Sequence, residues 1–338
     1  MRIAIVAPTR LAKLADKAAM LARSMNLDVL VASLDNYDNR DVERDSDVIL
    51  VIGTDRDALE ALQRVWSKPL ALVSPPGYAG YIASTQWDEL PRLFESLSKG
   101  AVKVRELVQL HAIVDGSTQL FAVNEIAVFP QRSATTMEYS LYVDSDLIWR
   151  DVSDGIIIAT PLGSTAYALS AGGPIVLLNA EVFIVVPVNS VEPRRRPLVV
   201  SQNSIIEVRD VASRCPIEAI ADGITRIRVE ENVIVKKGRI VKILALDYKD
   251  TVLAKKKLGV FEELHNLPPS AKFVYKMLEL EGPMTVRELS LKTLLPERTV
   301  RYALSLLIEK GIVEKIADPR DPRRIIYRIR EGLLVHRI

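Results

Sequence analysis

Four short apolar runs open the chain at regular intervals, with helical stretches between them, and this alternation narrows the fold more than any other feature. The runs are 2–7 (RIAIVA), 28–33 (DVLVAS), 47–53 (DVILVIG) and 69–75 (PLALVSP). Between them, 11–26 and 57–68 carry apolar residues at helical spacing. Strands that alternate with helices pair in parallel, because each crossover helix must pack back on the sheet.

Residues 1–97 are therefore expected to form a small α/β domain of Rossmann-like type. Beyond about residue 101 the pattern changes to period-2 alternation and short apolar runs, among them GIIIATP, VFIVVPV and SIIEVRDV. A mostly-β middle domain is expected over 98–258, with one helix near 165–171. A link at about 255–267 ends in Leu267-Pro268-Pro269-Ser270, and 267–338 form a third domain.

Composition limits the classes available. Apolar residues make up 49% and charged residues 26% of the chain, the balance of a globular protein rather than a disordered one. The single cysteine, Cys215, has no internal partner, which points to a reducing, cytoplasmic setting. No apolar run reaches transmembrane length, so no membrane partner is expected, and the N-terminal run reads as a buried strand rather than a signal peptide.

Charge is nearly balanced overall but unevenly placed. Residues 267–338 hold 14 Lys/Arg against 9 Asp/Glu, whereas the other 266 residues hold 31 against 34. A basic tail suits a polyanionic partner; a solvated basic surface is the alternative.

The tail reads as three helices followed by two strands. Thr285 and Glu288 have capping-box spacing for the second helix, and Gly311 stops the third. On that third helix Val300, Leu304, Leu307 and Ile308 form an apolar stripe, with Arg298, Arg301, Tyr302 and Ser305 on the opposite face and Thr299 beside them. A loop, DPRDPRR (318–324), carries Arg320, Arg323 and Arg324 between the strands. The layout resembles winged helix-turn-helix transcription factors, which implies double-stranded DNA as partner: the third helix in a groove, the loop arginines on phosphates. Winged helices also serve in protein–protein contact.

Three segments of the middle domain carry chemistry. Asn124-Glu125 lies between apolar strands, Asp222-Gly223 lies at a later strand junction, and 154–175 reads DGIIIATPLGSTAYALSAGGPI. The turn at Gly163-Ser164-Thr165 is placed to present backbone N–H groups to a phosphate or an adenine. The Asn124 amide can read an adenine edge, and Glu125 and Asp154 can accept from ribose hydroxyls. A purely structural tight turn is the alternative.

These blocks are similar to the signatures of NAD kinases, with Leu162 where the family's long block has threonine. The similarity covers about residues 1–258. It implies that Asn124, Glu125, Asp154, Thr165, Ala166, Tyr167, Ser170 and Asp222 hold NAD or NADP, and that the chain forms a homodimer or homotetramer.

One block departs from the pattern. Where NAD kinases carry Gly-Gly-Asp-Gly, this chain has Gly53-Thr54-Asp55-Arg56. The resemblance makes Asp55 the catalytic base. Thr54 is expected to resist a glycine conformation, and Arg56 to fill the space of the donor phosphates. Gly77-Tyr78-Ala79-Gly80-Tyr81, similar to the family's G-x-x-G-F, is kept. The leading expectation is therefore a ligand-responsive transcription regulator that retains the dinucleotide cradle, with transfer weak or lost. In a sharper form, Arg56 binds the 2′-phosphate of NADP; a salt bridge to Asp55 or Asp57 is the alternative. The second expectation is an active NAD kinase with a regulatory tail, using Mg²⁺ and ATP or polyphosphate. The third is an oligomeric scaffold that binds neither nucleotide nor DNA.

Overall fold

The structure, a computed structural model, describes residues 1–35, 39–64, 67–78, 80, 82–83, 85–246, 267–318 and 321–330. Arg320 and 255–266 of the link lie outside the described residues, and Arg323 is described only in its backbone. Contacts divide the chain into two compact units that do not follow chain order. One comprises Met1–Ala58, Lys68–Val104 and Leu244–Ile338; the other comprises Leu59–Ser67 and Arg105–Ile243. This differs from three consecutive domains in placing the tail with the N-terminal α/β stretch.

In the first unit, β1 (Arg2–Ala7), β2 (Asp28–Ser33), β3 (Val48–Ile52) and β4 (Leu70–Ser74) form a parallel sheet in the order β2-β1-β3-β4. Every residue of β3 and β4 is buried, as a strand covered on both faces requires. Helix α1 (Ala12–Ser24) turns Ala15, Ala18, Ala19 and Ala22 inward, small side chains that let it lie close to the sheet. After α2 (Asn39–Arg44) and β3 comes α3 (Asp55–Arg64). The short strand β5 (Thr85–Gln86) pairs with β4, and α4 (Leu90–Ser98) adds Leu93, Phe94 and Leu97 to the core.

The second unit is β-rich, as expected. Strands β8 (Glu125–Pro130), β11 (Gly155–Ala159), β12 (Val182–Val188), β13 (Leu198–Ser201), β15 (Ile217–Ala221) and β16 (Thr225–Val229) make an antiparallel sheet in the order β13-β12-β11-β8-β15-β16. Strands β6 (Lys103–Val114), β7 (Thr118–Ala122), β9 (Met137–Val143), β10 (Asp146–Ser153), β14 (Ile206–Ser213) and β17 (Val233–Ala245) supply the opposing strands. Ile156, Ile158, Phe183 and Val185 of the first set pack with Leu141, Ile206, Val208 and Val235 of the second in one core. Gly155 is required by close pairing: a Cβ there would stand 2.6 Å from the Val128 carbonyl oxygen.

In the tail, α6 (Pro269–Glu281), α7 (Val286–Thr293) and α8 (Glu297–Glu309) precede an antiparallel hairpin of β18 (Val313–Asp318) and β19 (Asp321–Ile329). Both halves of the capping box at Thr285 and Glu288 are present. Two details correct the sequence reading. Ile308 is exposed, and Ala303 takes its place in the buried stripe with Val300, Leu304 and Leu307. The hairpin loop is shorter than 318–324, because pairing of Asp318 with Asp321 carries the second strand through Arg323 and Arg324.

Among the described residues no helix is long and apolar enough to cross a membrane. Thr285→Ala removes the cap from α7 and should cost about 1 kcal/mol. Faster amide exchange over 286–293, with exchange in β3 unchanged, is the expected result.

Candidate nucleotide site

The departing block is a helix start rather than an open loop. Thr54 lies just ahead of α3, and its carbonyl accepts from the Ala58 N–H at 2.9 Å. Asp57 closes the turn: its Oδ2 accepts from the Thr54 N–H at 2.7 Å, from the Thr54 hydroxyl at 2.8 Å and from Arg10 Nη2 at 2.5 Å. These contacts are the carboxylate half of a capping box, with Asp57 at the third helical position. Thr-Asp-Arg-Asp has the spacing that identifies such a cap, so the sequence held a signal that the comparison with glycines obscured.

One expectation fails here. Neither Gly53 nor Thr54 has a positive φ, so threonine is under no backbone strain in place of a glycine. Arg56 is exposed on the first turn of α3. It makes no ion pair among the described residues, and Asp57 takes Arg10 instead. Gly53 is needed for a different reason, since a Cβ would lie 2.4 Å from that of Asp57.

Asp55 is the first residue of α3 and is partly buried. Its Oδ1 accepts from the Ile82 N–H at 2.9 Å, and its own N–H donates to the Tyr78 hydroxyl at 3.2 Å. A Cβ on Gly80 would stand 2.9 Å from Asp55 Oδ1 and 2.9 Å from Ser74 Oγ, so only glycine lets the chain pass there. Tyr78 and Gly80 thus shape the surroundings of Asp55. Tyr81 lies outside the described residues. Tyr78 was missed as a functional residue because nothing in its spacing reveals where its hydroxyl ends.

In the second unit, Asp222 gathers the Asn124-Glu125 turn. Its Oδ1 accepts from the N–H groups of Asn124 (2.8 Å) and Glu125 (3.1 Å). Its Oδ2 accepts from the Val123 N–H (3.0 Å) and from Gln63 Nε2 (3.1 Å). A buried carboxylate with four donors aimed at it is an anchor, so Asp222 holds the turn that carries Asn124 and Glu125. Burial pushes its carboxyl up to about 6, against the opposing pull of its hydrogen bonds to Val123, Gln63, Asn124 and Glu125.

The long block folds as β11, a 3₁₀ turn (Gly163–Thr165) and a short helix α5 (Tyr167–Ser170). Thr160 donates its hydroxyl to the Val123 carbonyl and accepts from the Gly163 N–H at 3.2 Å. The Ser164 and Ala166 N–H groups donate to the carbonyls of Thr160 and Gly163. Two of the amides expected to face a ligand, those of Gly163 and Ser164, are therefore used inside the turn. A Cβ on Gly163 would stand 2.0 Å from the Asn124 carbonyl oxygen, so this glycine joins the long block to the Asn124 turn.

Asn124, Glu125, Asp154 and Tyr167 belong to one neighbourhood. Tyr167 is raised above the usual phenol range by burial first and then by the charges of Glu125 and Asp154. Its ring stacks on Phe129 at 5.8 Å yet stays 46% exposed, which leaves it able to meet a ring from solvent. Asp154 accepts from Asn189 Nδ2 at 2.8 Å. Thr165 is half-buried and Ser170 exposed.

Comparison with known proteins fits this geometry. A family model described as the ATP-NAD kinase C-terminal domain matches residues 123–244. An NAD kinase of Corynebacterium diphtheriae is 32% identical over 226 residues, covering 63% of this chain and 71% of the relative. The chain belongs to the NAD kinase family. An NAD kinase of Methanopyrus kandleri is 33% identical over 187 residues, 54% of this chain and 67% of that one. Among solved structures, an Archaeoglobus fulgidus NAD kinase in complex with ATP aligns at TM-score 0.63 and 25% identity, covering 79% of this chain and all of that one. Yeast NADH kinase complexed with NADH aligns at TM-score 0.67 and 20% identity, covering 77% of this chain and 88% of that one, a likeness of fold.

The raised value of Asp222 has a directly measurable consequence. Its folded value lies above the ordinary 3.8, so its contribution to stability is full below about pH 4 and is lost as pH rises through about 6. Carbon-detected NMR of the Asp222 carboxyl should titrate with a midpoint near 6; a midpoint below 4 would contradict the assignment.

Proposed function

We propose that the chain is a working NAD kinase, transferring a phosphoryl group from ATP or polyphosphate to the 2′-hydroxyl of NAD, and that its tail meets double-stranded DNA. The observation that carries the kinase reading is the unstrained, capped start of α3, which keeps Asp55 at its first residue. The expectation of lost transfer rests on Thr54 and Arg56 being incompatible with a phosphate seat. That Thr54 spends its polar groups on Asp57 and carries no backbone strain supports a seat it does not block. The reading as a regulator with lost activity yields accordingly to the enzyme.

Asp55 is proposed as the base that takes the proton of the acceptor hydroxyl. Asn124, Glu125, Asp154 and Tyr167 are proposed to hold the dinucleotide, with Thr165, Ala166 and Ser170 beside them. Arg56, as an exposed guanidinium, is suited to a phosphate, including the 2′-phosphate of NADP. Among the described residues no group of three or more His, Cys, Asp or Glu is assembled to hold a metal. Mg²⁺ is ordinarily bound by one or two carboxylates together with substrate phosphates, so it would enter with the donor and offset the donor's charge.

The DNA part of the proposal rests on the winged helix-turn-helix order of the tail. It is supported by α8, where Arg298, Arg301, Tyr302 and Ser305 are exposed opposite the buried stripe and Thr299 is half-buried. Two arginines are less available than expected: Arg301 pairs with Glu297 at 2.9 Å, and Arg324 with Glu288 at 3.0 Å. A homodimer or homotetramer in a reducing cytoplasm completes the proposal.

The purified chain with NAD, ATP and Mg²⁺ should form NADP, and Asp55→Asn should lower kcat by about 10²-fold or more. No NADP from the wild type, with either ATP or polyphosphate, would falsify the kinase reading. For the tail, Arg298→Ala should weaken retention of duplex DNA in a gel shift and flatten its salt dependence. Unchanged retention would remove α8 as the contact.

A further inference from the structure

The tail touches the loop that shapes the surroundings of Asp55, and the contact has an identifiable chemical cause. In an α-helix the carbonyl of residue i accepts from the N–H of residue i+4. For Glu279, near the end of α6, that residue is Pro283, which has no N–H. The orphaned Glu279 carbonyl is satisfied from outside the helix: the Tyr78 hydroxyl donates to it at 3.0 Å. The same phenol oxygen accepts from the Asp55 N–H at 3.2 Å. One buried oxygen therefore links the end of a tail helix to the first residue of α3.

The surrounding packing makes the link specific. Gly282 has φ of +84°, and a Cβ there would lie 3.6 Å from Tyr78 Cδ2, so the ring rests against the helix end. Gly77, at φ of +78°, faces the tail as well: a Cβ there would stand 3.4 Å from Arg328 Nη1 and 3.8 Å from Pro283 Cγ. Met284 exchanges both backbone hydrogen bonds with Tyr327, at 3.0 and 2.8 Å, which ties this corner of the tail to its hairpin. A shift of α6 or the hairpin would thus be felt at Gly77 and Tyr78.

We propose that Tyr78 is a positioning residue for phosphoryl transfer, through which the placement of the tail governs the first turn of α3 and with it Asp55. The inference rests on the kinase reading and adds regulation to it. Whatever holds or displaces the tail adjusts the turnover of the enzyme, and nucleotide at the enzyme tightens the tail in return, as linkage requires.

The test uses the full-length chain and Tyr78→Phe, which removes one oxygen and keeps the ring. Amide exchange is followed with and without saturating NAD, a non-transferable ATP analogue and Mg²⁺. In the wild type these ligands should slow exchange at 163–171 and also at 277–283. In Tyr78→Phe the protection at 163–171 should persist while that at 277–283 disappears. The variant should also show kcat lowered about fivefold with KM for NAD unchanged, the scale of one lost hydrogen bond. Ligand-induced protection at 277–283 that survives in Tyr78→Phe, or is missing from the wild type while 163–171 is protected, overturns the coupling. Absence of protection at 163–171 together with no NADP formation defeats the kinase reading itself, and the coupling falls with it.

Discussion

The carboxylate of Asp57 decides what the divergent block can be. With one oxygen it fastens the Thr54 N–H, the Thr54 hydroxyl and the Arg10 guanidinium. The helix therefore begins at Asp55, and the first residue after the cap is the candidate base. A glycine-rich loop reaches a phosphate through its missing side chains; this capped helix instead commits the Thr54 N–H to Asp57 and the Asp55 N–H to Tyr78. Thr54 and Asp57 replace a glycine-rich loop with a capped helix start, and both arrangements keep the acidic residue at the same point in the chain.

Asp222 solves an equivalent problem in the second unit. Three consecutive N–H groups, from Val123 to Glu125, would be costly to bury without an acceptor, and one carboxylate takes all three. The turn so fixed brings the Asn124 carbonyl against Gly163, where a Cβ would be only 2.0 Å away. Within these blocks some residues are tied up in building the turn. Asp222, Gly163 and Thr160 build the turn, whereas Asn124, Glu125, Asp154 and Tyr167 are the residues proposed to meet a nucleotide.

Periodicity made most of the architecture legible, because burial on both faces of β3 and β4 and on alternate residues of the β-rich sheets leaves a direct trace in the residue pattern. Local chemistry was legible where it was local: the Thr285–Glu288 cap follows from four adjacent residues. The same four-residue signal at Thr54–Asp57 is masked by the resemblance, which sets glycines against those positions. Contacts between distant segments left no such trace. The bonds of Gln63 to Asp222, Arg10 to Asp57 and Tyr78 to Glu279 join residues 159, 47 and 201 positions apart, and no spacing rule reaches that far.

The last of those bonds also explains why a fused tail can matter to an enzyme. A domain held only by a flexible link would leave the chemistry of its neighbour untouched. Here Pro283 removes the donor that would have closed the last turn of α6, and the Glu279 carbonyl must find a partner elsewhere or bear the penalty of an unmatched polar group. Tyr78 supplies it while also receiving the Asp55 N–H. Withdrawal of the tail would leave that phenol, buried at 5% exposure, short of an acceptor, so the cost of undocking falls on the loop beside Asp55. Docking and the geometry at Asp55 are therefore tied by the energy of one shared hydrogen-bonded group, which is the physical content of the proposed coupling.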